Sequence, residues 1–264
     1  MGTDKRARKR DARAAREEAL AKRRNQRLIA VGVVILVIVG MAFFASTRED
    51  GGDKPDTPAA DATDAAAEEG AAACGAEVPV TSEAKGYDAP PEMALVEGVD
   101  YSAVIHTSCG DISLDLLEDD APITVNNFVF LAREGFYDGL TWHRIVSNFV
   151  IQGGDPDGTG MGGPGYQFED ELPKKANDYT YGAVAMANSG PNTNGSQFFI
   201  VVHEPVGKPA GLQALYSLFG KADEESFETI GEIAKVETLG GNDPAQADRP
   251  VTPVYIESIE ILEN

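Results

Sequence analysis

The sequence predicts a mainly β fold, an antiparallel barrel closed or nearly closed on itself and accompanied by two helices, set beyond a membrane on one apolar helix and a tether. Three observations lead there. Residues 28–45 run for eighteen positions without a charge, directly behind a basic N-terminus. Residues 46–92 are dominated by Asp, Glu, Ala, Pro and Gly. From Met93 onward, short alternating or β-branched runs punctuated by Gly, Pro, Asn and Asp outnumber two segments of helical period.

Charge is unevenly placed along the chain. Residues 1–27 carry eleven Lys and Arg against four acids, a balance of +7, which leaves −28 on the remainder of a chain whose net charge is −21. The run that follows, LIAVGVVILVIVGMAFFA, has the length a bilayer core demands of a helix. A cleaved signal peptide has a shorter apolar region ending in small residues, so residues 28–45 read as an uncleaved transmembrane signal-anchor. The basic block keeps residues 1–27 cytoplasmic and sends the chain beyond Ala45 across the membrane. With no interleaved aromatics and an apolar run behind it, the block sets topology rather than binding nucleic acid. The acidic remainder argues against a polyanionic partner outside.

Residues 46–92, including GGDKPDTPAADATDAAAEEGAAACGAEVP, cannot bury enough apolar surface to fold alone and read as a disordered tether. Cys74 lies within it, and Cys109 is the other cysteine of the chain. On the oxidising side of a membrane the two can be bonded or remain thiols, and the sequence leaves both open. AAACG lies too far from the apolar run to act as a lipidation signal.

Residues 93–264 form the folded domain. In DISLDLL, Asp111, Ser113 and Asp115 alternate with Ile112, Leu114 and Leu116, a half-buried strand joined to YSAVIHT by a short Gly-bearing hairpin connection. APITVNNFVFLAREG switches to helical period, with Val125, Phe128, Val129 and Ala132 on one face, Pro122 in the first turn and Gly135 at the end. WHRIV, FVIQGG, GAVAMA, SQFFIVV, LYSLFGKA and VYIESIEIL read as further strands. SFETIGEIAKVE reads as a second helix burying Phe227, Ile230, Ile233 and Ala234. Two helices are too few to cross over between so many strands, which favours the antiparallel barrel over a parallel sheet.

One stretch resists the usual functional readings. Nothing in MANSGPNTNGSQFFI has the look of a nucleophile, a metal ligand or a phosphate cradle. Together with WHRIVSNFVIQGGDPDGTG it resembles the two central motifs of the cyclophilins, the peptidyl-prolyl cis/trans isomerases, and the similarity runs from about Ser102 to Leu262. The resemblance implies a closed eight-stranded antiparallel barrel capped by two helices, with an active groove on the outside. Residue by residue it implies Arg144 and Gln152 as catalytic groups. The substrate-binding positions it implies are Phe149, Val150, Ala187, Asn188, Gln197, Phe199, Leu212 and Tyr216. It implies no cofactor.

Such residues suit the chemistry. Rotation about a peptide bond is opposed by ~18–20 kcal/mol because the nitrogen lone pair is delocalised into the carbonyl. A guanidinium donating to the prolyl nitrogen favours the twisted state in which that pair is localised. Arg144 is the candidate, with Phe149, Phe199 and Leu212 lining a pocket for the proline ring. Gln152 would bond the rotating carbonyl or hold Arg144, and Asn188 would grip an extended peptide through its backbone. Val150 stands where many cyclophilins have Met, so the pocket floor should be looser. Gly211 and Tyr216 replace a Trp and a His of many eukaryotic members, which implies weak cyclosporin binding at most. The expected substrates are proline-containing polypeptides beyond the membrane. Two further readings are a proline-segment binder or holdase without rapid turnover, and a structural anchor.

His143 precedes Arg144 and should face away from the groove, as a satisfied core histidine. His106 and His203 have no metal-ligand spacing. DPDGTGMGGPG lacks the closing Glu of a calcium loop and the Gly-Lys-Ser/Thr ending of a phosphate loop, so it reads as a flexible turn lining the groove. Trp142 should be core, its N–H in need of a partner.

Overall fold

A computed structural model describes residues 71–80, 85–243 and 246–264. The basic segment 1–27, the apolar segment 28–45 and the first part of the linker lie outside the described residues. Among those described, no helix is long and apolar enough to cross a membrane.

Eight strands form one curled antiparallel sheet: β1 (Tyr101–Thr107), β2 (Gly110–Leu116), β3 (Arg144–Val146), β4 (Val150–Gly153), β5 (Ala183–Met186), β6 (Phe198–Val201), β7 (Leu218–Ala222) and β8 (Ile256–Glu263). Their order is β3-β4-β6-β5-β7-β2-β1-β8. The predicted closed barrel is corrected here, because no ladder joins β3 to β8. The edges meet instead through irregular chain, where Trp142 N–H donates to Val254 O (2.9 Å), Ile145 N–H to Asp248 O (2.7 Å) and Ile256 N–H to Leu140 O (2.7 Å). A continuous ladder fails because β3 is only three residues long and the chain before β8 carries Pro250 and Pro253, which have no N–H to donate.

Alternation decides which residues enter the core. β1 buries Tyr101, Ala103 and Ile105, and β2 buries Ile112, Leu114 and Leu116, as the sequence pattern requires. They share one core with helix α1 (Pro122–Arg133), whose Val125, Phe128, Val129 and Ala132 are all buried. The Phe128 ring lies 5.1 Å from Phe219, 5.5 Å from Tyr137 and 5.7 Å from Phe198. No local side chain caps α1. The distant Glu171 carboxylate does so, accepting the Ile123 and Thr124 N–H groups at 3.0 and 2.8 Å, and its negative charge suits the helix N-terminus. Helix α2 (Phe227–Ile233) is shorter than predicted and buries Ile230 and Ile233.

The end of the linker is packed rather than free. Ala72 and Ala73 are buried, Ala73 N–H donates to Pro253 O (2.8 Å), and Cys74 is bonded to Cys109 with Cα atoms 5.1 Å apart. Farther on, Tyr87 packs on Phe130, Ala94 N–H donates to Asn126 Oδ1, and Asn126 Nδ2 donates to Glu92 O. Residues 85–100 thus form a strap held largely by α1, and its first part, residues 85–92, reads as linker in the sequence because its partners lie elsewhere in the chain.

Trp142 is buried as predicted, its ring 5.5 Å from Phe198, and its Nε1–H meets no protein acceptor. His143 is buried, 8% exposed, yet it is not the satisfied histidine expected, since neither ring nitrogen has a protein hydrogen-bond partner. Burial lowers its pKa from the ordinary 6.5. Asp155 opposes that shift, while Arg144 and Arg249 add to it.

Two expectations follow from this packing. The disulfide closes a 35-residue separation, so Cys74→Ser should remove about 4 kcal/mol on loop-entropy grounds and lower Tm by roughly 10 °C; an unchanged melt would contradict this. Because the folded pKa of His143 is depressed, its neutral form stabilises the fold fully above about pH 6.5, and that contribution is lost as pH falls through the folded value. Urea unfolding from about pH 7.5 down to about pH 5.5 should therefore show a smaller loss of stability in His143→Gln than in the parent, and equal losses would overturn the assignment.

Candidate active site

Register places the site. Arg144 on β3 lies opposite Gln152 on β4, Gln152 opposite Phe199 on β6, and Phe199 opposite Ala185 on β5. Residues that pair directly share a face, so these four side chains form one row across the outside of the sheet while Ile145, Ile151, Ile200 and Val184 point into the core. A second row adds Val150 opposite Val201.

The outer face carries an apolar patch of its own. Val150, Tyr179, Ala183, Ala185, Phe199 and Val201 are buried there, with Phe149, Ala187, Leu212 and Tyr216 packed against them. Phe149 reaches the patch from a tight β3–β4 turn in which Asn148 has φ 59° and Phe149 N–H donates to Val146 O (3.0 Å). Tyr216 stands edge-on to Phe199 with ring centroids 5.3 Å apart. Val150 lies buried within the patch, and Gly211, with φ 75°, has nothing within 4 Å of where a side chain would begin.

Beside the patch runs a chain of polar side chains. Arg144 Nε donates to Asp248 Oδ2 (3.1 Å) and Nη1 to Gln152 Oε1 (3.4 Å). Gln152 Nε2 donates to Gln197 Oε1 (3.0 Å), and Gln197 Nε2 to Gly162 O (2.9 Å). Arg144 and Asp248 side chains are 39% and 37% exposed, so the ion pair adds little stability and serves mainly to orient the guanidinium. Gln152, Gln197, Ala187 and Asn188 also border a cleft of ≈ 750 Å³ whose other wall is residues 160–167.

Every predicted site residue lies on this face or at the cleft it opens into. Sequence reasoning missed two supports. Asp248 comes from a loop 104 residues away, with no motif to mark it. Tyr179 donates its O–H to Tyr216 O (2.6 Å) and its carbonyl accepts the Ala210 N–H (2.9 Å), which fastens the 210–216 loop over the patch. Burial raises the Tyr179 pKa and keeps that phenol a donor.

The stretch from Met186 to Ile200 is explained by its hydrogen bonds. Asn194 Nδ2 donates to Glu169 O (3.0 Å) and Asp170 Oδ1 (2.9 Å), Ser196 Oγ to Gly154 O (2.7 Å), and Asn188 Nδ2 to Leu215 O (2.9 Å). Its polar residues fasten loops around the cleft. The DPDGTGMGGPG loop is likewise anchored, for the buried Asp155 carboxylate accepts the N–H groups of Asp157, Thr159 and Gly160. No group of three or more His, Cys, Asp or Glu able to hold a metal occurs among the described residues. The arrangement offers a fixed cation beside an apolar patch, without a nucleophile and base in contact.

Comparison with known proteins gives this arrangement a context. Residues 102–261 match the family described as cyclophilin type peptidyl-prolyl cis-trans isomerase/CLD. The chain is 45% identical over 177 residues to peptidyl-prolyl cis-trans isomerase A of Mycobacterium tuberculosis, covering 61% of this chain and 91% of that one. It is 41% identical over 200 residues to a protein of Streptococcus pyogenes carried under the name of a bifunctional phosphatase/peptidyl-prolyl cis-trans isomerase; the match takes in 66% of this chain but only 41% of that longer one. A cyclophilin type peptidyl-prolyl cis-trans isomerase of Cryptosporidium parvum superposes with TM-score 0.53 at 33% identity, over 62% of this chain and 99% of that one. The same Cryptosporidium protein was also solved in the presence of the dipeptide Ala-Pro, with TM-score 0.50 and 32% identity. Matching the family over most of its described length, the chain belongs to the cyclophilin-type peptidyl-prolyl cis-trans isomerases.

Proposed function

We propose that this isomerase turns X–Pro bonds at the outer face of β3, β4, β6 and β5, with Arg144 as the group that stabilises the twisted amide. The observation that carries the reading is the row Arg144–Gln152–Phe199, which sets a cation at the edge of an apolar patch. The proline ring would sit against Phe149, Phe199 and Leu212. Two N–H groups of Arg144 are directed at Asp248 and Gln152, which fixes the plane of the guanidinium and leaves further donors of the same fork for the prolyl nitrogen. Only the pyramidal, twisted nitrogen has a localised lone pair to accept them, so the interaction strengthens towards the transition state. Gln152, bonded to both Arg144 and Gln197, holds the guanidinium in place. Asn188 commits its side chain to Leu215 O, which suits a peptide gripped through the backbone of residue 188. The Cryptosporidium relative studied with Ala-Pro supports proline-containing peptides as the substrate class.

The clients would be polypeptides emerging beyond a membrane, where uncatalysed X–Pro isomerisation takes tens to hundreds of seconds and limits folding. Residues 28–45 would anchor the enzyme there, with residues 1–27 cytoplasmic. The Cys74–Cys109 bond supports an oxidising compartment. Recovery of the full chain in the soluble fraction of its cells, or with both thiols free, would count against this placement.

In a cis-to-trans assay with an Ala-Pro test peptide, Arg144→Ala in the full chain should reduce kcat/KM by about a hundredfold or more, and Arg144→Lys should recover only part because a point charge lacks the planar fork. A parent that binds the peptide yet leaves its isomerisation rate unchanged would make the protein a proline-segment binder or holdase instead. In the same assay cyclosporin should inhibit only at micromolar concentration or above, since Gly211 presents no side chain; nanomolar inhibition would contradict that.

A further inference from the structure

Tyr87 lies outside the stretch matched by the family, yet it touches the far wall of the cleft. Its backbone N–H donates to Pro164 O at 2.8 Å. Gly165 has φ 99°, and a Cβ there would stand 2.6 Å from Tyr87 O, so the strap and the wall meet backbone to backbone and only glycine fits between them. The Tyr87 ring is 6.5 Å from Tyr166 and 5.1 Å from Phe130. Tyr166 O–H in turn donates to Asn127 Oδ1 (2.6 Å), and Asn127 Nδ2 donates to Gly195 O (3.0 Å). Pro164, Gly165, Tyr166 and Gly195 all border the cleft, and all are held from behind by α1 and the strap.

The wall needs such support. Between Gly158 and Gly165 five positions are glycine, and a chain of that composition loses much backbone entropy when ordered. Asp155 fixes the near end through the N–H groups of Asp157, Thr159 and Gly160. At the far end the corresponding contact is Tyr87.

We propose that Tyr87 is a positioning residue for substrate: by fixing Pro164–Tyr166 from outside the family domain, it sets the cleft that receives the residues flanking the proline. The inference rests on the groove assignment made above. Coupling of this kind is reciprocal, so peptide that fills the cleft must tighten the strap as much as the strap favours the peptide. The rotation step at Arg144 is untouched, which separates a binding effect from a chemical one.

The test uses the full chain and two substrates, a blocked Ala-Pro dipeptide and a longer peptide with several residues on either side of the proline. Tyr87→Ala keeps the backbone bond to Pro164 O but removes the ring contacts with Phe130 and Tyr166, so it should raise KM for the longer peptide by about fivefold, the scale of one aromatic pair, with kcat and the dipeptide unaffected. Tyr87→Phe should behave as the parent, because it keeps the ring and the N–H, and the phenol oxygen has no protein partner to lose. If Tyr87→Ala lowers Tm but leaves both KM values in place, Tyr87 is structural only and the proposal falls. Should that variant not fold, hydrogen exchange on the parent decides: saturating longer peptide should slow exchange of the Tyr87 amide relative to that of Ile112, and unchanged exchange overturns the coupling. Failure of the groove assignment itself would show separately, as an Arg144→Ala variant with undiminished turnover.

Discussion

Phe198 fixes the parity of the sheet. Its ring lies 5.7 Å from Phe128, 5.6 Å from Tyr137 and 5.5 Å from Trp142, nearly perpendicular to each. With Phe198 committed to the core, Phe199 must face outward, and a slip of one residue would exchange them. The parity passes to both neighbours of β6. Gln152 and Ala185 lie opposite Phe199, and Arg144 lies opposite Gln152. One packing decision inside the barrel therefore aligns four groups outside it.

The cost of this arrangement is a sheet that is apolar on both faces in its central strands. All four residues of β5 and of β6 are buried. The inner ones meet the aromatic core, whereas the outer ones are covered by Phe149, Leu212, Tyr216 and Leu218. Ala183 and Ala185 beside Phe199 are short, which leaves relief in the outer patch instead of a flat surface. Polar residues border it on the Arg144 side, so the outer face has one apolar flank and one charged flank. That asymmetry suits a ring with an amide attached better than it suits a wholly apolar ligand.

Period-two alternation made the β1–β2 hairpin legible in the sequence and the helical stripe of α1 was equally plain, whereas Arg144, Gln152 and Phe199 were legible only through the resemblance to the cyclophilin motifs. What could not be read depends on meetings between distant loops. Asp248 reaches Arg144 across 104 residues, Glu171 caps α1 from outside it, and Tyr179 fastens the 210–216 loop through one phenol. None of these residues belongs to a periodic pattern. The strap was hidden for a different reason. Residues 85–92 share the composition of a disordered chain, and their few apolar side chains become useful only against surfaces supplied by α1 and the glycine-rich wall. The open seam also escaped prediction, since strand count alone says nothing of whether two edges carry enough N–H donors to pair.

The disulfide determines how the domain would answer to force. A pull on the chain upstream of Ala71 travels along the backbone as far as Cys74 and from there crosses covalently to Cys109, in the turn between β1 and β2. Residues 75–108 lie in parallel with that short covalent route and are bypassed by it. Tension is delivered to a hairpin bend whose strands are hydrogen-bonded to β7 and β8, while Tyr87 and the wall it supports remain slack. The bond thus works as a mechanical shunt: a load entering at Ala71 bypasses residues 75–108, Tyr87 among them.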